Sequence, residues 1–201
     1  MKVLVIGSGG REHALVLKLL ESPLVDEIWC APGNGGISAV AHPVPIKVMD
    51  KENMVKFAVE NGIEFVVVAP DDPLAAGMVD AFEEVHIPTF GPRANAAVIE
   101  ASKVFSKNLM KKYGIPTARY EIFDDMAAAL RYLETAPIPT VIKADGLALG
   151  KGVIIASTRE EAKAAVRDMM EGHIFGKSGD HIVIEEFLTG PEVSVLSLIH
   201  I

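Results

Sequence analysis

The chain has 201 residues, 50% hydrophobic and 23% charged, which suits one large or two modest domains with a buried core. Its 19 basic and 27 acidic residues give a formal net charge of −8 without a basic cluster, which argues against a nucleic-acid partner. No apolar run approaches the roughly 20 residues of a membrane span, and the N-terminus reads as a strand and a turn rather than a signal peptide. The single cysteine, Cys30, excludes an internal disulfide and is expected in the core. We therefore expect a cytoplasmic protein that does not contact a membrane.

The first half of the chain alternates strands and helices. Residues 2–6 form a continuous apolar run, typical of a parallel strand that is covered on both faces. The pattern then gives a glycine turn at 7–10, a helix to residue 20, strands at 27–31, 64–69 and 87–90, and helices at 51–61 and 74–84. This alternation predicts an α/β fold with a Rossmann-like, doubly wound parallel sheet, which we assign to a substrate-binding domain at residues 1–92.

A dinucleotide-binding oxidoreductase is one alternative for such a fold. Its fingerprint is broken here, because Glu12 occupies the third glycine position. The second strand also runs into the turn at 32–36 without the acidic residue that would hold a ribose. The fold prediction therefore stands, whereas a nicotinamide cofactor is not favoured.

Three polar turns, at residues 7–10, 32–36 and 70–73, each follow a predicted strand. Ligands of open parallel sheets bind beyond the carboxyl ends of the strands, so these turns are expected at the binding edge. Each one alone is an ordinary connection between a strand and a helix. Together they favour a small polar ligand.

The second half begins with a helix predicted at residues 95–113, which carries lysines at 103, 107 and 111. We interpret Lys107, Lys111 and Lys112 as a solvated helix face and set Lys103 apart. A smaller alternating unit follows, with strands at 119–123, 140–143, 153–157 and 181–186 and helices at 126–134 and 159–170. The last helix is opened by a capping box from Thr158 to Glu161. We assign residues 93–201 to a second domain with an α+β lid subdomain at about 118–190.

A glycine-rich loop between two lysines connects the strands at 140–143 and 153–157; it contains Lys143, Gly146, Gly150, Lys151 and Gly152. Glycines allow positive φ angles and close backbone approach, so successive N–H groups can point at one anion, and an ammonium suits a polyphosphate. The spacing excludes a P-loop, since only three residues separate Gly146 from Gly150 and no Ser or Thr follows Lys151. On the glycines alone, a phosphate cradle and a plain β-hairpin with solvated lysines both remain open.

Further motifs accompany this loop in a set order. With Ile182-Val-Ile-Glu-Glu-Phe-Leu188 and Gly190-Pro-Glu192 after it, the chain resembles the ATP-grasp superfamily of carboxylate–amine ligases. Within that superfamily it resembles the phosphoribosylamine–glycine ligases through Gly9-Gly-Arg-Glu-His-Ala14, Ala31-Pro-Gly-Asn34, Phe90-Gly-Pro92, Ala101-Ser-Lys103 and Val141-Ile-Lys-Ala-Asp-Gly146. These motifs cover the chain from Lys2 to about Val195.

The resemblance implies an ATP-dependent ligation in purine biosynthesis. Glycine would be activated as glycyl phosphate, and the amine of 5-phosphoribosylamine would displace phosphate to give glycinamide ribonucleotide, ADP and phosphate. The implied partners are these small molecules and ATP, with Mg²⁺ or Mn²⁺, and the implied state is a monomer. Another ATP-grasp ligase and a non-catalytic nucleotide-binding fragment remain alternatives; the former should lack the Gly-Gly-Arg-Glu-His-Ala segment.

The resemblance also carries roles to individual positions. Lys103 and Lys143 would hold ATP phosphates under the loop. The loop residues that would fold over the phosphates are Gly146, Gly150, Lys151 and Gly152. Backbone groups of Glu185, Glu186, Phe187 and Leu188 would bind adenine, and Glu192 would accept from the ribose hydroxyls. The sugar-phosphate amine would contact Gly9, Gly10, Asn34 and Asp71, although the family usually has Glu where this chain has Asp71.

The chain reaches Ile201 shortly after a strand predicted at residues 192–196. The six histidines show neither metal-ligand spacing nor a catalytic partner, so neither a zinc site nor a hydrolytic triad is predicted. No catalytic or metal-binding residue can be assigned within the chain. By resemblance, the metal ligands and most of the glycine pocket are expected beyond Ile201, so we expect an incomplete and inactive N-terminal portion.

Overall fold

A computed structural model of the chain describes residues 1–147 and 152–195. The chain divides into two compact units, Met1–Ser106 and Lys107–Ile201. Among the residues described, no helix is long and apolar enough to cross a membrane.

The first unit is built on a five-stranded sheet, and all its neighbouring strands are parallel. The strands are β1 (Lys2–Gly7), β2 (Glu27–Pro32), β3 (His42–Pro43), β4 (Phe65–Val68) and β5 (Thr89–Phe90), in the order β3-β2-β1-β4-β5. This order reverses direction at β1, as in a doubly wound sheet, so the predicted Rossmann-like fold is confirmed. The two-residue strand β3 was not predicted, because His42 and Pro43 show no apolar alternation.

Both faces of this sheet are covered. The helices of the unit are α1 (Gly10–Leu19), α2 (Lys51–Glu60), α3 (Asp71–Ala75), α4 (Met78–Glu84) and α5 (Ala94–Ala101). Alternate residues of β1 enter two separate cores, with Leu4 and Ile6 in one and Val3 and Val5 in the other. Complete burial of these side chains explains why β1 is a continuous apolar run rather than an alternating one.

Two predicted helices are each interrupted in the structure. The helix expected at 74–84 is instead α3 and α4, separated at Gly77, whose φ of 80° is left-handed. The helix expected at 95–113 is instead α5 and α6 (Lys103–Tyr113), separated at Ser102, whose backbone is extended. The Ser102 hydroxyl accepts a hydrogen bond from the Phe105 N–H at 3.0 Å, so the serine caps a new helix rather than continuing the old one.

The second unit contains a four-stranded antiparallel sheet. Its strands are β6 (Tyr120–Phe123), β7 (Thr140–Ala144), β8 (Val153–Ala156) and β9 (Ile182–Glu186), in the order β6-β9-β7-β8. Helices α7 (Met126–Leu133) and α8 (Arg159–Met170) pack on one face of the sheet and share a core with Ile142, Ile182 and Ile184. The residues that alternate with these three isoleucines along β7 and β9 place their side chains on the opposite face of the sheet.

Two smaller predictions in this unit need correction. The capping box at α8 is half formed: the Thr158 hydroxyl accepts from the Glu161 N–H at 3.2 Å, but the Glu161 carboxylate accepts from Ser157 rather than from Thr158. The strand expected from Glu192 is also absent over the described residues 191–195. Pro191 has no N–H to donate, and Val193 and Val195 are 78% and 87% exposed, so this segment pairs with no strand there.

Candidate functional site

The sheet face opposite the core of the second unit brings a lysine and a glutamate together. Val141 pairs with Glu185 and Lys143 pairs with Val183 across β7 and β9, so all four side chains lie on this face. The ammonium of Lys143 is 3.0 Å from Oε2 of Glu185. Lys143 is therefore not the solvated lysine of a plain hairpin, because its charge is held against a buried carboxylate.

A second lysine reaches the same carboxylate oxygen. Nζ of Lys107 lies 3.1 Å from Oε2 of Glu185 and donates to the Thr117 hydroxyl at 2.6 Å. It also lies 5.3 Å from the centroid of the Tyr120 ring, and the Tyr120 hydroxyl donates to the Lys107 carbonyl at 2.8 Å. The prediction of a solvated Lys107 is wrong, since this residue is only 8% exposed. Lys107 lies three residues from both Val104 and Met110 on α6, and this apolar spacing in the sequence could have indicated that it faces inward.

Glu185 is thus a buried anion between two cations. It is 5% exposed, and its backbone carbonyl accepts from the Thr140 hydroxyl at 2.8 Å. Its other carboxylate oxygen, Oε1, is buried and has no hydrogen-bond partner among the described residues. Burial of a carboxylate requires compensating charge, and the two ammonium groups supply it while leaving the cluster with a net charge of about +1.

The glycine loop leaves the sheet directly beside this cluster. At its base the Ala144 N–H donates to the Gly152 carbonyl at 2.8 Å, and the Asp145 N–H donates to the His181 carbonyl at 2.9 Å. Gly146 has a φ of 113°, and a Cβ there would lie 2.5 Å from Oγ of Ser178. The predicted strand-loop-strand connection is confirmed by the pairing of β7 with β8. The predicted phosphate contacts Gly150 and Lys151 lie outside the described residues.

The residues after the cluster continue along β9 and beyond it. The Glu186 carboxylate accepts from Nε of Arg119 at 2.7 Å and from its backbone N–H at 2.8 Å. These bonds from Arg119 lower the pKa of Glu186, and the side-chain bond raises the pKa of Arg119. Phe187 and Leu188 follow the last paired residue of β9 and are 38% and 65% exposed, and Glu192 is exposed as well. Their predicted contacts with adenine and ribose remain predictions.

The first unit brings two of the three polar turns together. The Gly33 N–H donates to the Gly7 carbonyl at 3.1 Å, and Nδ2 of Asn34 donates to the Ser8 carbonyl at 2.9 Å. The amide oxygen of Asn34 accepts from the Ile37 N–H at 2.9 Å. The Asn34 side chain therefore joins the turns after β1 and β2, and its amide oxygen and nitrogen both bond within the protein.

Glu12 explains why the dinucleotide fingerprint is broken. Its Oε2 accepts from the Gly9 N–H at 2.5 Å, and the residue is only 4% exposed. A Cβ at Gly7, whose φ is 136°, would collide with the Glu12 side chain. The carboxylate fills the space beneath the turn and occupies the backbone N–H of Gly9, a predicted substrate contact. The first helical N–H groups, which start at Gly10, remain directed out of the helix end.

The other predicted contacts lie at the starts of helices. Asp71 is exposed at the first position of α3, and Lys103 occupies the first position of α6. A cavity of about 560 Å³ opens at the carboxyl ends of β4 and β5 and is lined by Arg11, Leu74, Phe90 and neighbouring residues. Such a position is where open parallel sheets bind ligands. In the described part of the chain, no group of three or more His, Cys, Asp or Glu residues could hold a metal ion.

Comparison with known proteins identifies two domains along the chain. Residues 1–100 match the family model described as phosphoribosylglycinamide synthetase, N domain, and residues 101–200 match that of the ATP-grasp (A) domain of the same synthetase. A phosphoribosylamine–glycine ligase of Allochromatium vinosum is 47% identical over 201 residues, which are 99% of this chain and 47% of that protein. The chain thus spans about half the length of the curated relatives it matches.

Solved structures show the same relationship. The crystal structure of a phosphoribosylamine–glycine ligase from Thermotoga maritima is 31% identical with a TM-score of 0.77, covering 95% of this chain and 45% of that one. The biotin carboxylase domain of a Hydrogenobacter thermophilus 2-oxoglutarate carboxylase, solved with MgADP and bicarbonate, has a TM-score of 0.72 at 22% identity. The match covers 93% of this chain and 44% of the biotin carboxylase chain, and at this identity the likeness concerns the fold alone.

Proposed function

Because the chain belongs to the phosphoribosylglycinamide synthetase family, we propose that it supplies the N domain and the ATP-grasp domain of a phosphoribosylamine–glycine ligase. The reaction is the ATP-dependent joining of glycine to 5-phosphoribosylamine, by way of glycyl phosphate, to give glycinamide ribonucleotide. A carboxylate is a poor electrophile at neutral pH, so the phosphoryl group of ATP supplies the leaving group. The protein then mainly positions the reactants and neutralises phosphoryl charge.

The observation that carries this proposal is the cluster of Lys143, Glu185 and Lys107 at the base of the glycine loop. Its net positive charge and the 27% exposure of the Lys143 side chain suit an anion that approaches from the loop side. Val153 and Ile155 lie on the same sheet face, directly across from Lys143 and Val141, and are 44% and 57% exposed. Exposed apolar side chains beside an ammonium group suit a ligand with a flat base and a phosphate chain.

The residues present fit ATP. Lys143 and the backbone of the loop would hold its phosphates together with Lys103, Gly150 and Lys151. The backbone of Phe187 and Leu188 would meet the base, and Glu192 would accept from the ribose. These last three residues are exposed and follow the strand that carries Glu185.

In the first unit, the turns joined by Asn34 are the proposed site of the sugar-phosphate amine. The Gly9 N–H and the Asn34 side chain hold the turns in place, so the contacts with substrate fall to Gly10 and to the start of α1. Asp71 is a further proposed contact at the third turn. We propose that the reaction also uses Mg²⁺ or Mn²⁺. We further propose a monomeric, cytoplasmic protein.

Two measurements test this function in order. Isothermal titration of the chain with ATP should give saturable binding that Lys143→Met weakens. Phosphate release that requires both glycine and 5-phosphoribosylamine then tests the ligation in a full-length protein that contains these two domains. ATP binding without such release in the full-length protein would favour the alternative of a non-catalytic nucleotide-binding module, and the absence of ATP binding would contradict the nucleotide site.

A further inference from the structure

The two lysines that share Glu185 differ in how many contacts hold them. Lys107 is paired with Glu185, bonded to Thr117 and stacked on Tyr120, and its side chain is 10% exposed. For Lys143, the described residues provide Glu185 as its hydrogen-bond partner, and its side chain is 27% exposed. An ammonium group has three N–H donors, so Lys143 can still donate to a ligand. Lys107 is therefore a fixed cation and Lys143 an available one.

This difference matters because Glu185 cannot lose all of its compensating charge. An anion that binds to Lys143 either draws the Lys143 ammonium away from Oε2 of Glu185 or competes with Oε2 for that ammonium. With Lys107 in place, the buried carboxylate keeps a partner at 3.1 Å when this happens. Without Lys107, Lys143 would be the only cation that residues 1–147 and 152–195 place on Glu185, and its transfer to an anion would leave a buried charge uncompensated.

We propose that Lys107 is a positioning residue for the phosphate site: it neutralises Glu185 permanently and so makes the charge of Lys143 available to a polyphosphate. Lys107 acts through Glu185 and does not itself touch the ligand. This inference rests on the proposed nucleotide function and adds to it a residue that the glycine loop and its lysines did not indicate.

The test is a double-mutant cycle with inorganic tripolyphosphate as the probe, because this ligand has no base or ribose to contact Glu185. Affinities are measured by calorimetry for the unaltered chain, Lys107→Met, Glu185→Gln and the double variant. Lys107→Met should weaken binding of tripolyphosphate by about tenfold in the presence of Glu185, since Lys143 is then needed to compensate the buried carboxylate and is less available to the anion. In the Glu185→Gln background the same change should cost less than about threefold, because no carboxylate remains to be neutralised.

Glu185→Gln alone provides a second readout, which does not depend on the stability of Lys107→Met. It should bind tripolyphosphate more tightly than the unaltered chain, because Lys143 is released from its anion. Lys111→Met is the matched control, since Lys111 is exposed one turn further along the same helix and should change the affinity by less than about twofold. Unfolding midpoints are recorded for every variant, so that affinities are compared only between folded proteins.

The outcomes separate this inference from the proposed function. Equal losses from Lys107→Met in both backgrounds would show a direct contact with phosphate and would overturn the inference. No loss in the presence of Glu185, or weaker binding by Glu185→Gln, would also overturn it. If the unaltered chain binds tripolyphosphate and Lys143→Met abolishes this while Lys107→Met has no effect, the nucleotide site stands and only the inference fails. If Lys143→Met has no effect either, both fail.

Discussion

Lys143 and Glu185 lie on neighbouring antiparallel strands, 42 residues apart in the chain, with Nζ of the lysine 3.0 Å from Oε2 of the glutamate. A loop of three glycines that begins from a solvated lysine would be an ordinary hairpin. Here the Lys143 ammonium is held in position by the buried carboxylate of Glu185, which also forms an ion pair with Lys107 on α6. The sheet therefore presents a positioned cation at the base of the loop, and this is the feature that makes the loop a candidate phosphate site.

Replacing this cation gives the first prediction. Lys143→Met should weaken ATP binding by about 2–4 kcal/mol, because a charge-assisted phosphate contact is lost while the alkyl stem is kept. Calorimetric titration of both proteins measures the difference, with Lys111→Met as the exposed control. An unchanged dissociation constant would contradict the assignment of Lys143 and favour a plain hairpin.

The second prediction concerns Glu192. If its carboxylate accepts hydrogen bonds from the ribose hydroxyls, Glu192→Gln should weaken ATP, AMP and adenosine by a similar factor, since all three share that contact. Tripolyphosphate lacks a ribose and should bind as before. Competition titrations with the four ligands make the comparison, and an equal loss for tripolyphosphate would place the role of Glu192 elsewhere.

The strands were predictable because their residues are apolar on one or both faces, and β1 illustrates this. Its apolar run from Val3 to Ile6 is buried in two cores, and a continuous apolar run is the pattern expected of a strand that is covered on both faces. The break in the helix before Lys103 was less visible, since Ser102 can sit in a helix or cap one. Its bond to Phe105 settles the choice only in the folded chain.

The candidate site was predictable in its loop but not in its charges. Glycine spacing and flanking strands indicated the loop at residues 143–152. The partnership of Lys107 with Glu185 depends on where α6 lies against the sheet and on the register of β9, which local sequence does not specify. In the sequence, Glu12 likewise shows only as a break in a motif, although its burial beneath Gly7 and Gly9 makes it part of the turn.

The role of Glu12 can be tested by truncation. Glu12→Ala removes the acceptor of the Gly9 N–H and leaves a space beneath the turn, so it should lower the free energy of unfolding by about 2–3 kcal/mol. Chemical denaturation measures this loss. Glu21→Ala is the control, because Glu21 is 65% exposed in a surface ion pair with Lys18 and should change stability by less than about 0.5 kcal/mol. Equal effects of the two changes would show that the buried carboxylate does not stabilise the turn.

The base of the glycine loop provides a prediction that does not depend on ligand. Gly146→Ala should destabilise the second unit by about 1–3 kcal/mol, because the φ of 113° is unfavourable for alanine and the added Cβ would meet the Ser178 hydroxyl. Gly176→Ala is the matched control, since Gly176 also has a positive φ, 57°, but has no atom within 4 Å of its added Cβ. Denaturation curves should show the larger loss for Gly146→Ala. A larger loss for Gly176→Ala would mean that contact with Ser178 does not limit the site.

The last prediction concerns Cys30 and high pH. Burial, with a smaller contribution from the nearby charge of Glu12, raises the pKa of the Cys30 thiol from 9.0 to about 11. Between these two values the unfolded chain loses the thiol proton while the folded chain keeps it, so the folded state binds more protons and stability falls as pH rises. The stabilising contribution of the neutral thiol is fully present below pH 9 and is lost as pH rises to about 11, a change of at most about 2–3 kcal/mol.

Urea denaturation at pH 7.5, 9 and 10.5 should therefore show that the free energy of unfolding falls more steeply with pH for the unaltered chain than for Cys30→Ala, in which the remaining pH dependence comes from other groups. Parallel pH profiles for the two proteins would show that the thiol ionises no less readily in the folded chain than in the unfolded one.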